Sequence, residues 1–418
     1  MKPTYLVTTL VVLALTMPAT PAHAGGIVSI CDETHLLAAL AGGGTVTFSC
    51  SGTITLTDTI PMAADTSLDG SGRNVTISGN NAVRTVYVNP GITFNLNSMT
   101  IANSAASGIY NRGGTVTVSN STFASNSAGP GGAGIFNDNG IVTVSYSTFS
   151  ANSASRGGGI FNDNGGRLTV SHSIFSGNSA SAAGGGLFND NGSTLTVSNS
   201  TLSGNSASAS GGGIYNDNSS TLTVSNSTFS GNSANASGGG IFNENDSTIV
   251  MSNCTFSGNN ASVGGGGIFN DTHGTVTVSN STFSGNSAYW AGAIRNIDGT
   301  VTLKNTLVAN SLAIGNCSGV INGGGGNLSY PDATCPGING DPRLGVLRDN
   351  GGPTATMALA PGSAALDMAN DAICAAPPVN SHDQRGVIRP QGAHCDIGAY
   401  EAAPGSLTKA AFLPIIVR

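Results

Sequence analysis

Six acidic residues occupy one recurring position: Asp138, Asp163, Asp190, Asp217, Glu244 and Asp271. Each falls two residues after an aromatic, namely Phe136, Phe161, Phe188, Tyr215, Phe242 and Phe269. A row of carboxylate oxygens offers hard ligands that suit calcium. A row of aromatic faces offers flat platforms for sugar rings. Like charges ~5 Å apart repel by roughly 1–3 kcal/mol per neighbour at effective dielectrics of about 20–80, so an acidic row needs counterions, spreading or other partners. A purely structural reading fits the same pattern: Asp suits a solvated, Asn-rich turn, and stacked aromatics add stability. Calcium is the one cofactor these residues suggest.

The remaining reactive groups are few. Six of the seven cysteines fall into close pairs, Cys31 with Cys50, Cys317 with Cys335, and Cys374 with Cys395. These are expected to be disulfides of an oxidising compartment, each closing a loop of about 20 residues worth roughly 3 kcal/mol. Cys254 is left over in a slot where sister repeats carry Ser200, Ser227 and Ser281, and reads as a small substitution rather than a nucleophile. Near the C-terminus Asp383, Arg385, Arg389, Asp396 and Glu401, with His382 and His394 nearby, form the densest charged cluster. Arg–carboxylate pairs tethering irregular loops account for it better than an active site does.

The elements that position these groups come from a repeat. The centre of the G-I-F-N block recurs at Ile109, Ile135, Ile160, Leu187, Ile214, Ile241, Ile268 and Ile294, about every 27 residues. A second apolar register keeps step through Phe123, Phe149, Phe175, Leu202, Phe229, Phe256, Phe283 and Leu307. Two registers in step make each copy one turn of a solenoid. In T-V-T-V the period of two buries Val116 and Val118 and turns Thr115 and Thr117 outward. Phe123 returns to the core only if the chain bends at Asn120–Ser121. Glycine runs such as 157–159 supply another corner. With Ile135 and Asn137 inward, Phe136 and Asp138 point outward.

Stacked copies bring identical side chains together. One asparagine ladder is expected from Asn111 through Asn137, Asn162, Asn189, Asn216, Asn243 and Asn270 to Asn296. A second runs from Asn126 through Asn152, Asn178, Asn205, Asn232, Asn259 and Asn286 to Asn310. An amide donates to one neighbouring turn and accepts from the other. Solenoid ends need caps, and residues 32–41 read as a short capping helix with Asp32 as N-cap and Gly42 as stop.

Residues 1–24, with Lys2, an apolar run, Pro18 and Ala22-His23-Ala24, read as a signal peptide, which makes the mature chain extracytoplasmic. Beyond it no apolar run is long enough to span a membrane. A net charge of −7 with only 8% charged residues excludes nucleic acid as partner.

The repeat G-G-G-I-F-N-D-N followed by T-V-T-V-S-N-S-T-F-S-G-N-S-A resembles right-handed parallel β-helix proteins of the pectate-lyase-like superfamily, including polymorphic outer-membrane-type repeats, over roughly residues 45–330. The later stretches D-N-G-G-P-T-A-T-M-A-L-A-P-G-S-A-A-L-D, D-Q-R-G-V-I-R-P-Q-G and C-D-I-G-A-Y-E resemble the choice-of-anchor Q domain. That second resemblance implies a bacterial surface or secreted protein. The expected fold is an all-β, right-handed parallel β-helix solenoid with a short N-terminal capping helix and an irregular C-terminal capping domain. The expected parts are a signal peptide (1–24), the β-helix (25–330), the anchor-associated domain (331–401) and a tail (402–418).

Lyases of that superfamily use acidic calcium ligands with a basic residue that abstracts a proton. Here the regular repeats hold one lysine, Lys304, and arginines at scattered registers (Arg112, Arg156, Arg167, Arg295). Hydrolysis would want nonrepeating carboxylates at fixed separation, whereas these acids recur with the repeat. No catalytic residues are assigned. The expected function is a noncatalytic surface or secreted scaffold or adhesin, with polysaccharide, cell-surface components or calcium as ligands. The alternative is a carbohydrate-active enzyme, a polysaccharide lyase or hydrolase.

Overall fold

The computed structural model describes residues 25–403; the expected signal peptide and nearly all of the tail lie outside the described residues. The chain winds into an all-β parallel solenoid of about 11 turns, only 3% helical. Strands of successive turns pair in register, Val116 with Val142 and Val142 with Leu168, as the repeat requires.

Each turn follows from its sequence. In Thr115–Ser119 the two valines are fully buried while Thr115 is exposed. Asn120 then adopts φ 49°, a left-handed conformation that asparagine tolerates better than most residues. The bend returns Phe123 of strand Thr122–Ala124 to the core. The chain continues to the inward Ile135 and Asn137 of Ile135–Asp138 and passes on to the next T-V-T-V strand.

Stacking these segments gives a 13-stranded T-V-T-V sheet, a 13-stranded phenylalanine sheet and an 11-stranded I-F-N sheet. A 7-stranded fourth sheet, Ser153–Arg156 to Leu312–Ile314, is added over the later turns. Inside, Phe123, Phe149 and Phe175 stack at 4.7 Å, and Phe229, Phe256 and Phe283 at 4.5–4.6 Å, with Leu202 between the two runs. Burying each such side chain stabilises by about 1.5–3 kcal/mol.

Both amide ladders form. In the first, each Nδ2 from Asn111 to Asn270 donates to the Oδ1 of the next turn at 2.7–2.9 Å, ending at Asn296. In the second the same bond is 2.9 Å from Asn126 to Asn286, and each backbone N–H also donates to that Oδ1. Asn310 departs from the expectation. Leu312 pairs with Ser287, so Asn310 takes the corner register of Gly285, with φ 54° and its side chain exposed. The shorter last repeat shifts the alignment by one residue.

The N-terminal cap matches its signals. Helix Glu33–Leu40 starts at Asp32, whose side chain accepts from His35 N–H, and Leu36 is buried against the first turns. Ala41 is the C-cap and Gly42 follows with φ 96°. The Cys31–Cys50 disulfide ties the helix down, and Cys317–Cys335 clasps the last turns.

Three features differ from or extend the sequence reading. Solenoid pairing runs on to Ile338–Asn339. The segment that follows folds back along the flank of the phenylalanine sheet. There Gln384 bonds Thr228 and Thr255, Thr354 donates to the Asn226 carbonyl, and Ala399 N–H donates to Thr282. Finally, Cys374 and Cys395 are buried thiols rather than the expected disulfide. The amides of Asn280 and Asn305 donate to the Cys374 sulfur, and Cys395 is hydrogen-bonded to it, which makes the pair part of the packing against the solenoid. Cys254 is also a buried thiol, its sulfur bonded to the Ser252 carbonyl, and burial pushes it up to about 12.

Candidate functional site

The aromatics that leave the barrel on the I-F-N sheet do not form an open platform. Phe161, Phe188, Phe242 and Phe269 are buried, and Phe136 and Tyr215 are half-buried. The run leading into each I-F-N strand folds over them. Phe161, Phe188 and Ala183 make a small second core with Phe136 and Tyr215 packed against it. Gly184, Gly211 and Gly238 lie so close to Phe188, Tyr215 and Phe242 that a Cβ would sit 2.8–2.9 Å from theirs. Arg156 covers Phe188 at 5.6 Å, and Arg295, which ends the row, lies 5.6 Å from Phe269. Outward from the barrel is therefore not outward to solvent, which corrects the expected ligand platform.

The acidic row is relieved by asparagine. Asp138, Asp163, Asp190 and Asp217 each accept from the side-chain amide one turn on, Asn164, Asn191, Asn218 and Asn245, at 2.7–2.8 Å. Asp163, Asp190, Asp217 and Asp271 also accept the backbone N–H of the next residue. Tyr110 donates to Asp138 and Tyr215 to Glu244. Burial raises Asp163 and Glu244 above the usual carboxylate range. Among the described residues no three His, Cys, Asp or Glu side chains converge as metal ligands.

In the terminal cluster every charge is tied to a loop. Arg385 grips Asp383 at 2.6–2.8 Å and lies over Tyr400. Arg389 donates to the carbonyls of Asp396 and Gly398, and Glu401 accepts from Gln391 N–H and Asp396 N–H. His394 pairs with Asp371 on the surface, which raises the histidine, while His382 bonds the Asn380 carbonyl.

Burial pushes Glu401 up to about 6 from 4.5, and raises Asp396. A raised folded value gives stability that is complete below the unfolded value and lost as pH rises through the folded one. Asp163, Glu244 and His394 act in the same direction. The thermal midpoint is therefore expected to be higher at about pH 5 than at about pH 7.5. A midpoint that falls on acidification across that window would contradict the assignment.

What remains open is the T-V-T-V sheet and half of the phenylalanine sheet. On the first, Thr115, Thr143, Thr169, Thr221, Thr275 and Thr300 are exposed. On the second, Thr228, Thr255 and Thr282 are buried beneath the folded-back segment, whereas Thr76, Thr100, Thr122, Thr148 and Thr201 reach solvent. Where the two open faces meet, a trough of about 430 Å³ is lined by Arg73, Asn74, Thr76, Ser98, Thr100, Asn120 and Thr122. One turn beyond Asn120 the corner carries Tyr146, 63% exposed, and the next carries His172, their rings 4.8 Å apart and near parallel. A second nonrepeating patch joins Val263, Tyr289, Trp290, Leu312 and Ile314 on the fourth sheet, with Arg295 5.9 Å from Trp290. Sequence reasoning passed over both patches because it followed what recurs. Their signal is a departure from the repeat: Tyr and His where sister copies have Asn, and Y-W where they have small residues.

Among solved structures, one titled "Crystal structure of pectate lyase Pel9A" is similar at 14% identity, covering 86% of this chain and 88% of that one, with a TM-score of 0.48. No curated protein sequence matches. The model of the family described as right handed beta helix region matches residues 67–229 and 193–330. Those matches take in most of the stacked turns, and the chain belongs to the right handed beta helix family.

Proposed function

We propose that the protein is an exported, noncatalytic scaffold or adhesin that docks polysaccharide along its uncovered flank. The observation that carries this reading is the open T-V-T-V face, whose threonine hydroxyls stand in rows one strand spacing apart, ~4.8 Å. Such a surface is flat, nearly uncharged and rich in groups that both donate and accept, which suits a long polymer of hydroxyls. Two disulfides fit an oxidising, extracytoplasmic setting. The folded-back segment, with its resemblance to the choice-of-anchor Q domain, serves surface association in this proposal.

Retention on insoluble polysaccharides across a broad panel tests the reading. Wild-type protein is expected to bind at least one member without releasing unsaturated, ultraviolet-absorbing products. Thr169→Glu/Thr196→Glu, which places charge in the hydroxyl rows, is expected to weaken that retention by about tenfold. Binding to no member of the panel rejects the reading, and product release makes the protein a lyase.

Calcium remains a proposal for the acidic row. If the row binds it, millimolar calcium raises the melting temperature and Asp163→Asn/Asp190→Asn/Asp217→Asn abolishes the rise. No shift in the wild type rejects it.

A further inference from the structure

The corner between the T-V-T-V and phenylalanine sheets is an asparagine position, with φ 49° at Asn120, 48° at Asn199 and Asn226, and 52° at Asn253. Tyr146 and His172 hold the same left-handed conformation at φ 48° and 47°. Tyrosine is strained there, whereas asparagine and histidine tolerate that conformation better than most residues. Strain of this kind persists where surrounding structure holds it and clusters at binding sites. Packing does not explain these two rings, because both project from an exposed corner.

Their surroundings supply the rest of a site. His172 occupies one face of the Tyr146 ring. The other face looks back toward the preceding turn, where Asn120 closes the end of the 430 Å³ trough. At the trough's far end Arg73 is exposed, and Thr100 and Thr122 lie along the floor. The open stretch from Thr76 to Thr201 spans six rungs, roughly 24 Å at the usual strand spacing. Past it the folded-back segment forms a wall, where the Ala355 carbonyl and Gln384 bond Thr228.

We propose that the Tyr146 corner and this trough together form a saccharide-binding site. A pyranose unit lays its C–H face on Tyr146 above Asn120, and the units that follow it lie over the trough, where Arg73, three turns from Tyr146, takes hydroxyls. An aromatic face beside polar donors is what such a ring needs, since its faces are apolar and its edge polar. The inference rests on the polysaccharide-docking reading and names the residues that grip a short run of sugars.

The test is the double variant Tyr146→Asn/His172→Asn, which restores the residue the repeat prefers, with Tyr146→Trp as a companion. Both are measured against whichever polysaccharide the wild type retains. The double variant is expected to bind at least about tenfold more weakly, with a melting temperature equal to or above wild type, while Tyr146→Trp retains binding. Undiminished binding by the double variant overturns the site and leaves the docking reading standing. Loss of binding that accompanies a lower melting temperature also overturns it, since the rings would then be structural. A wild type that binds no polysaccharide removes the underlying reading itself.

Discussion

Asn205→Ala is expected to lower the unfolding free energy by about 3–5 kcal/mol, as much as removing a core phenylalanine. Asn205 Oδ1 accepts both the backbone N–H and the Nδ2 of Asn178, and its own Nδ2 donates to Asn232 Oδ1 and the Phe175 carbonyl. Alanine leaves partners on two turns facing a dry cavity, where each unpaired polar group costs about 1–3 kcal/mol. Asn235→Ala, at an exposed position on the fourth sheet's flank, is expected to change stability by no more than about 0.5 kcal/mol. Denaturant midpoints of the two variants decide the matter. Equal midpoints would mean that the ladder contributes little.

The second large effect is at Gly213, where the constraint is space. A Cβ there would lie 2.5 Å from the Gly240 carbonyl oxygen of the next turn and 3.3 Å from the Phe229 ring. The neighbour is backbone within a stack, and it cannot withdraw without opening the turn spacing. Gly213→Ala is expected to cost about 3 kcal/mol or more and to reduce soluble yield. Gly204→Ala is the control: φ is 60°, but nothing lies within 4 Å, so only the conformational cost of about 1 kcal/mol applies. If the two substitutions melt alike, close approach is not what requires glycine at 213.

Much of the fold was legible because a tandem repeat states each local rule many times. Alternation in T-V-T-V placed Val116 and Val118 inside, and the misphased Phe123 forced the bend that Asn120 makes. The Asp32 cap and both amide ladders followed from residue type and register. Three things were not legible. The aromatic row of Phe161, Phe188 and Phe269 leaves the barrel, but its exposure depends on the path of the next segment, which periodicity does not fix. Asn310 looked like a ladder member because its repeat is shortened, and only strand pairing reveals the slip. The pairing of Cys374 with Cys395 rested on spacing alone, whereas amides of Asn280 and Asn305 also converge on that sulfur. As for the candidate site, Tyr146 and His172 went unremarked, although they are exceptions to the corner asparagine. Their weight came only with the strain and the trough beside them.

The way the terminal segment lies along the flank sets where the rod can change length during evolution. It grips Asn226, Thr228, Asn253, Thr255, Asn280 and Thr282 at fixed intervals, like a ruler laid against stacked coins. Unequal recombination that adds or deletes a whole copy upstream of Asn226 leaves every one of those marks aligned. Gain or loss of part of a copy between Thr228 and Thr282 slides them out of step. The rod is thus expected to vary in reach by whole copies, while the copies under the ruler keep their length.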